Sequence, residues 1–510
     1  MELIQHLVLG FSVATHPVNL AYCLLGVTLG TLIGVLPGIG PLSGVAMLLP
    51  VTYVMQPLSA IIMLAGIFYG AQYGGSITSI LVNIPGDASA AVTCIDGHAM
   101  AAKGRAGAAL SMSKIASFAG GCFSTLVIML LAPVLTEVAL EFGPAEYFSL
   151  MVVGLVTAVT LAHGSQLRGL AMVILGLLLG FVGTDIQTGT LRFTFGFERL
   201  SDGVNLVALA IGLFGFSHII YNMENLISRK VEMPEVSAIL PTFADLKACI
   251  KPIMRGMSIG SLLGVLPGGG AVLSSFAAYT VEKRLASDPS RFGKGAIEGV
   301  AAPEAANNAA SQTSFIPLLT LGIPPNPVIA LIGGALTIQG VIPGPEIISQ
   351  QPHLFWGIVA SMWIGNLMLI VLNLPLVGIW IRLLRVPRGI LFPSIILLSC
   401  IGVYSVDNSA FDVGTAVFFG MLGYAFLKFG CEPGPLLLGF VLGPMMEQNL
   451  RRAMLLSHGD PTVFVTQPIS LVLLLAAVAL LALMFVSAMR AGRHSGNESE
   501  TKVANTEFAN

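Results

Sequence analysis

Two prolines set between glycines are the residues of this chain best suited to chemistry. Residues 30–40 read GTLIGVLPGIG and residues 260–270 read GSLLGVLPGGG, most positions being identical without a gap. Proline breaks a helix, and glycine lets backbone approach a ligand closely. A helix broken inside an apolar environment leaves free N–H groups at one end and free carbonyls at the other. The first attract anions and the second cations. Two such breaks facing each other would hold a small anion together with a cation. The backbone candidates are Pro37, Gly38 and Gly40 in the first copy, and Pro267, Gly268, Gly269 and Gly270 in the second.

Side chains near each break can complete the site. Hydroxyls come from Ser43, Ser76, Thr78 and Ser79, then from Ser274, Ser311, Thr313 and Ser314. Asn83 and Asp87 follow the first break, and Asn326 the second, as candidate cation ligands. In EGVAAPEAANNAASQTSFIPLLTLGIPPN (298–326), Glu304, Asn307, Asn308 and Ser311 have helical spacing and can share a face. A carboxylate in a membrane interior is costly, which makes Glu304 a functional candidate. Lys114 and Arg168 read as anchors snorkelling from inner helix ends. No histidine stands in HExxH or another metal-ligand spacing, so neither a transition-metal site nor a catalytic residue is expected, and no cofactor beyond a coupling cation, sodium or proton.

The elements that position these residues are membrane helices. The chain has 510 residues, 55% apolar and 10% charged. Soluble domains carry about 25% charged residues. Apolar stretches of about 20 residues recur, the length that crosses roughly 30 Å of hydrocarbon. The expected fold is all-α and polytopic, with about 10–12 spans plus re-entrant or broken helices. Net charge is −2, which gives no reason to expect a nucleic-acid partner. The six scattered cysteines form no CxxC pair and read as structural thiols. The N-terminus lacks a basic region and does not read as a removable signal.

Loop charge orients the spans. Loops 96–114, 222–256 and 382–388 are basic and are placed inside, whereas 135–147 and 343–353 hold no Lys or Arg. Loop 184–202 is assigned outside despite Arg192 and Arg199, and the side of the C-terminus stays open. Residues 253–281 have bases on both flanks, so a re-entrant hairpin turning at Pro267 fits better than one crossing. The chain divides into an N-terminal segment (1–17), a first membrane repeat (18–221), a cytoplasmic linker (222–256), a second repeat (257–489) and a polar tail (490–510). SITSIL (76–81) resembles SQTSFI (311–316), and Asn83-Ile84-Pro85-Gly86-Asp87 resembles Gly322-Ile323-Pro324-Pro325-Asn326, with four extra residues in the second copy. Equivalent points fall on opposite faces, which makes the repeats inverted, a recurrent transporter design.

The two GVLPG breaks, EGVAAPEAANNAA and LTLGIPPN resemble the large membrane subunit of the tripartite tricarboxylate transporter family, over about residues 18–490. The resemblance implies secondary-active uptake of a small di- or tricarboxylate across a bacterial inner membrane, driven by sodium or protons. It also implies two partners, a small membrane subunit and a periplasmic solute-binding protein. A passive carboxylate channel is the alternative reading. An intramembrane enzyme is disfavoured, since HExxH is missing; the lack of GxxxxGK[ST] argues against ATP binding by this chain.

Overall fold

Glycine at every fourth position decides which helices meet. The structure, a computed structural model, describes residues 2–36, 38–161, 165–185, 187–225, 241–268, 270–383 and 388–484. Its first half holds α1 (Glu2–Ala14), α2 (Pro17–Val35), α3 (Gly40–Leu48), α4 (Pro57–Val82), α5 (Ala106–Ala139), α6 (Pro144–Leu161), α7 (Gln166–Gly180) and α8 (Leu206–Glu224). The second holds α9 (Phe243–Val265), α10 (Gly270–Leu285), α11 (Glu298–Thr313), α12 (Pro327–Ile338), α13 (Pro352–Asn373), α14 (Arg388–Asp407), α15 (Ala410–Lys428), α16 (Gly434–Leu456) and α17 (Pro468–Met484). Among the described residues the only strands, β1 (Gly183–Thr184) and β2 (Leu191–Arg192), form one antiparallel pair. Among the described residues six helices are long and apolar enough to cross a membrane, and several shorter apolar helices accompany them. The chain is an all-α polytopic membrane protein.

Gly26, Gly30 and Gly34 lie on one face of α2. A Cβ on each would stand 2.4, 2.5 and 2.1 Å from the carbonyl oxygens of Met63, Ile67 and Ala71 in α4. Gly256, Gly260 and Gly264 of α9 meet α11 the same way, at 2.3, 2.2 and 2.5 Å from the carbonyls of Ala302, Ala306 and Ala310. Small residues let backbones touch, and this contact holds each broken helix against a buried partner. From Leu58 to Leu81 α4 is buried throughout, as is α11 from Gly299 to Thr313. The first is mainly apolar, with Gln72, Ser76, Thr78 and Ser79 toward its end; the second is more polar, yet equally enclosed.

These contacts correct one detail of the repeat. Met63, Ile67 and Ala71 match Ala302, Ala306 and Ala310, so Asn83 and Gly322 already lie in the same register. Both of those residues end their helices with left-handed backbone. The SITSIL–SQTSFI match is displaced by four residues from that register. Four residues are about one helical turn, so the slipped match keeps the same face and looks sound in sequence.

α9 and α10 fold back on each other across the break, and Arg255 closes a bidentate ion pair on Glu282 at 2.8 and 2.6 Å. The arms run from Phe243 to Leu285, longer than the 257–281 expected. At the same end Arg105 pairs with Asp245 at 2.7 Å, and Lys103 donates to the Lys294 carbonyl at 2.5 Å. Two of the three basic segments grouped by charge counting, 96–114 and 222–256, therefore meet in space. Arg451, whose side was open, joins Asp185 at 2.9 Å, next to the 184–202 loop. The linker's centre (226–240) and the polar tail lie outside the described residues.

Candidate functional site

The break between α2 and α3 and the break between α9 and α10 converge on one cavity of about 720 Å³. Gly38, Gly40, Gly268 and Gly270 line it, with φ of 78°, 69°, 74° and 48°. Such left-handed backbone is the conformation that only glycine adopts freely. Between the breaks lie the two later turns, Pro85-Gly86-Asp87 and Pro325-Asn326-Pro327. The Gly268 N–H donates to the Pro325 carbonyl at 2.8 Å, so the second break is tied to its own IPPN turn.

Helix starts surround the cavity. The first turns of α3, α10, α12 and α16 all contribute to its wall. The start of α12 is internally satisfied, the Asn326 side chain accepting from the Ile329 N–H at 3.0 Å; Asp87 likewise caps the short turn Ala88–Ala90, accepting from Ser89 and Ala90 at 3.1 and 3.3 Å. α3 and α16 begin without a side-chain cap, and because Pro41 and Pro435 have no N–H, the donors of those first turns are Gly40 and Leu42, and Gly434 and Leu436. Partial positive charge of this kind suits an anion. Among the described residues no Lys or Arg lines it; Asp87 and Glu432 supply negative charge, and His218, Asn222, Gln72 and Ser43 further polar groups.

The predicted residues separate into two sets. Gly38, Gly40, Ser43, Asp87, Gly268, Gly270 and Asn326 line the cavity. Pro267 lies in the second break without lining it, and Pro37 and Gly269 fall outside the described residues. Ser43 donates to the Phe214 carbonyl at 2.8 Å, within a π-helical turn of α8. Thr78, Ser79, Ser274, Ser311, Thr313 and Ser314 do not line it. Their hydroxyls donate to carbonyls of their own helices, at 2.7–3.1 Å. Asn83 ends α4 instead.

Ser76, Glu304, Asn307 and Asn308 belong to a second region, a buried polar network between α4, α5 and α11. Glu304 Oε1 accepts from Thr93 at 2.5 Å and Oε2 from Ser117 at 3.3 Å. Asn308 Nδ2 donates to Ser117 Oγ at 2.8 Å and to the Glu304 carbonyl at 3.1 Å. Lys114 is not a snorkelling anchor. It is fully buried, donating to the Tyr73 carbonyl and to Ser76 Oγ at 2.6 Å, because α5 begins at Ala106 and carries it two turns into the core. Arg168 remains at a helix end, 3.5 Å from the Gly430 carbonyl.

Several residues escaped the sequence reading. Glu432, Pro433 and Gly434 form a further Pro-Gly helix start at the cavity, so the Pro-Gly signal itself would have found it. His218 and Asn222, one turn apart on α8, also line it, and Asn222 Nδ2 donates to the Gly38 carbonyl at 3.3 Å. Asp96 is fully buried in a π-helical turn. Its Oδ1 accepts from the N–H groups of Gly293, Gly295 and Ala296 at 2.7–2.9 Å, and Oδ2 from Tyr279 at 2.9 Å. That carboxylate pins the first repeat to the start of α11.

A relative from Agrobacterium vitis, "Uncharacterized 52.8 kDa protein in TAR-I ttuC' 3'region", is 54% identical over 493 residues, covering 97% of this chain and 98% of its own. A second from the same organism, "Uncharacterized protein in TAR-II ttuC' 3'region", is 60% identical over 234 residues, 46% of this chain and 97% of its own. No solved structure matches the chain significantly. The model of the tripartite tricarboxylate transporter TctA family matches residues 20–438, and with most of its length so covered this chain belongs to that family.

Proposed function

We propose that this chain is the translocating subunit that carries a small organic di- or tricarboxylate through the 720 Å³ cavity. The family is one of transporters, not enzymes, and its tripartite make-up implies a small membrane subunit and a periplasmic binding protein. One observation carries the site: two broken helices, related by sequence repeat, bring left-handed glycine turns to one cavity, which the uncapped starts of α3 and α16 also reach, with no Lys or Arg among its described lining residues. Backbone N–H groups take the substrate carboxylates there, and Asp87 offers negative charge to an accompanying cation. The cavity is the right size for such a ligand, since small-molecule sites span about 300–1,000 Å³. Movement of the two break-bearing hairpins against the remaining helices exposes it to alternate sides of a bacterial inner membrane, driven by a sodium or proton gradient.

The test is accumulation of labelled di- and tricarboxylates in cells expressing all three subunits, with sodium and proton gradients collapsed separately. Accumulation that falls when one gradient is collapsed, and that Gly270→Leu abolishes in protein still inserted, is expected. Equilibration without accumulation would point to a channel instead.

A further inference from the structure

Lys114 and Glu304 are both sealed in the helical core, and neither lines the cavity. No direct ion pair joins them among the described residues. Lys114 spends its protons on neutral acceptors, the Tyr73 carbonyl and Ser76 Oγ, while Glu304 is met by the hydroxyls of Thr93 and Ser117. Around them several polar atoms are enclosed without a partner: Asn308 Oδ1, Asn307 Nδ2 and the Tyr73 hydroxyl. Buried polar groups are ordinarily satisfied, and exceptions mark strain, chemistry or an unplaced partner. An ionised carboxylate can only accept; a protonated one also has a hydrogen to give to an acceptor beside it.

We propose that Glu304 is a proton-binding site beside the fixed positive charge of Lys114, and that a proton taken up there accompanies the carboxylate through the cavity. The inference rests on the carboxylate-transport reading and deepens it by naming the coupling ion and its seat. In the loaded step the Glu304 carboxylate gains H⁺ and becomes a carboxylic acid, while Lys114 stays an ammonium. The local charge rises from zero to plus one, and the anion in the cavity offsets it. Release reverses both changes. A metal cation at the same place would face the Lys114 ammonium, whereas a proton on Glu304 needs no coordination shell.

The geometry links this centre to the cavity by two short paths. Asp87 and Gln72 line the cavity, and the Ser89 hydroxyl lies 2.6 Å from an oxygen of each. Four residues beyond Ser89 is Thr93, the donor to Glu304; next to Gln72 is Tyr73, whose carbonyl takes Lys114. A shift of Asp87 or Gln72 on substrate binding is thus passed to both ionisable groups. The titratable groups facing Glu304 are Lys114 from α5, Asp87 and Cys94 from the segment after α4, and Tyr73 from α4 itself.

The test uses the full chain in lipid. Infrared difference spectra during a pH titration report the carbonyl stretch of a protonated carboxylic acid. The expected result is a titrating band in the wild type that is missing in Glu304→Gln. In Lys114→Met its midpoint should move to higher pH by about one unit or more, since a neighbouring positive charge is removed. A band unaffected by Glu304→Gln, or a midpoint unmoved in Lys114→Met, overturns the proposal. With the partner subunits present, Glu304→Gln should keep downhill carboxylate exchange but lose proton-driven accumulation; proton-driven accumulation at the wild-type level also overturns it. If the wild type moves no carboxylate at all, the transport reading falls, and the spectra still decide whether Glu304 binds the proton.

Discussion

The cavity at the two breaks and the network around Glu304 stand a few residues apart on α4, yet they are built from different materials. The cavity is backbone: glycines in left-handed conformations and the starts of α3 and α16. The network is side chain: a carboxylate, an ammonium, amides and hydroxyls with no exposed surface. The difference teaches where charge is handled. Helix starts present a fixed partial charge that needs no proton, which suits an anion that must arrive and leave. Ionisable side chains change charge, which suits a site that gains and loses a proton.

The largest effect that breaks this comparison comes from the packing under both regions. Gly34→Leu and Gly260→Leu drive a side chain into the carbonyls of Ala71 and Ala306, since even a Cβ would lie 2.1 and 2.2 Å from them. Overpacking costs about 1–3 kcal/mol or more. Both variants should lose monodisperse protein in size-exclusion chromatography, and unchanged elution would show that the helices separate easily. Asp96→Ala comes next. It strips three backbone N–H groups and the Tyr279 hydroxyl of their acceptor, at on the order of 1–3 kcal/mol for each group left buried and unpaired. The melting temperature should fall, and Asp96→Asn should recover part of the loss by keeping an acceptor oxygen.

Gly270→Ala sharpens the comparison. A methyl there meets open space but sits at φ 48°, which costs about 1 kcal/mol of strain. Gly459→Ala, at φ 86° and also in open space, carries similar strain far from the cavity. The first should reduce carboxylate uptake and the second should not, although their melting temperatures drop alike. Equal uptake would remove the break from the site.

A smaller effect belongs to the end of the molecule away from both regions. The Thr188 N–H, with Arg451, Gln187 and Arg192, holds the Asp185 carboxyl well below the usual carboxylate range. A depressed folded value means the contribution is complete above the unfolded value of about 4 and fades as pH falls below it. Exchange protection of the Thr188 amide should therefore hold at neutral pH and weaken only in acid. Arg451→Gln should move that loss to higher pH. The smallest effect is expected from Ser274→Ala and Ser314→Ala, whose hydroxyls serve their own helices; stability should change by less than about 1 kcal/mol and uptake not at all.

Much of this organisation was legible in the sequence, for a physical reason. Proline flanked by glycines disfavours continuous helix, so the breaks stood out in the sequence, and both reach the cavity. Hydroxyl side chains were less legible, because a serine that closes on its own i−4 carbonyl has the same sequence as one that meets a ligand. Thr313 and Ser79 illustrate this. Lys114 misled because position along a span shows neither where its helix begins nor what it bonds. Asp96 was invisible, since its partners Gly293, Gly295 and Ala296 are nearly 200 residues away and act through backbone.

The most direct test of the cavity as the carboxylate site is thiol protection at Leu273, which lines it and is 37% exposed. Leu273→Cys, in a background with the native cysteines replaced, would be labelled with a maleimide in the presence of each candidate carboxylate. The account predicts slower labelling with the transported carboxylate and no change with a neutral analogue of the same size. Equal labelling rates with a carboxylate that the assembled transporter accumulates would place the substrate elsewhere.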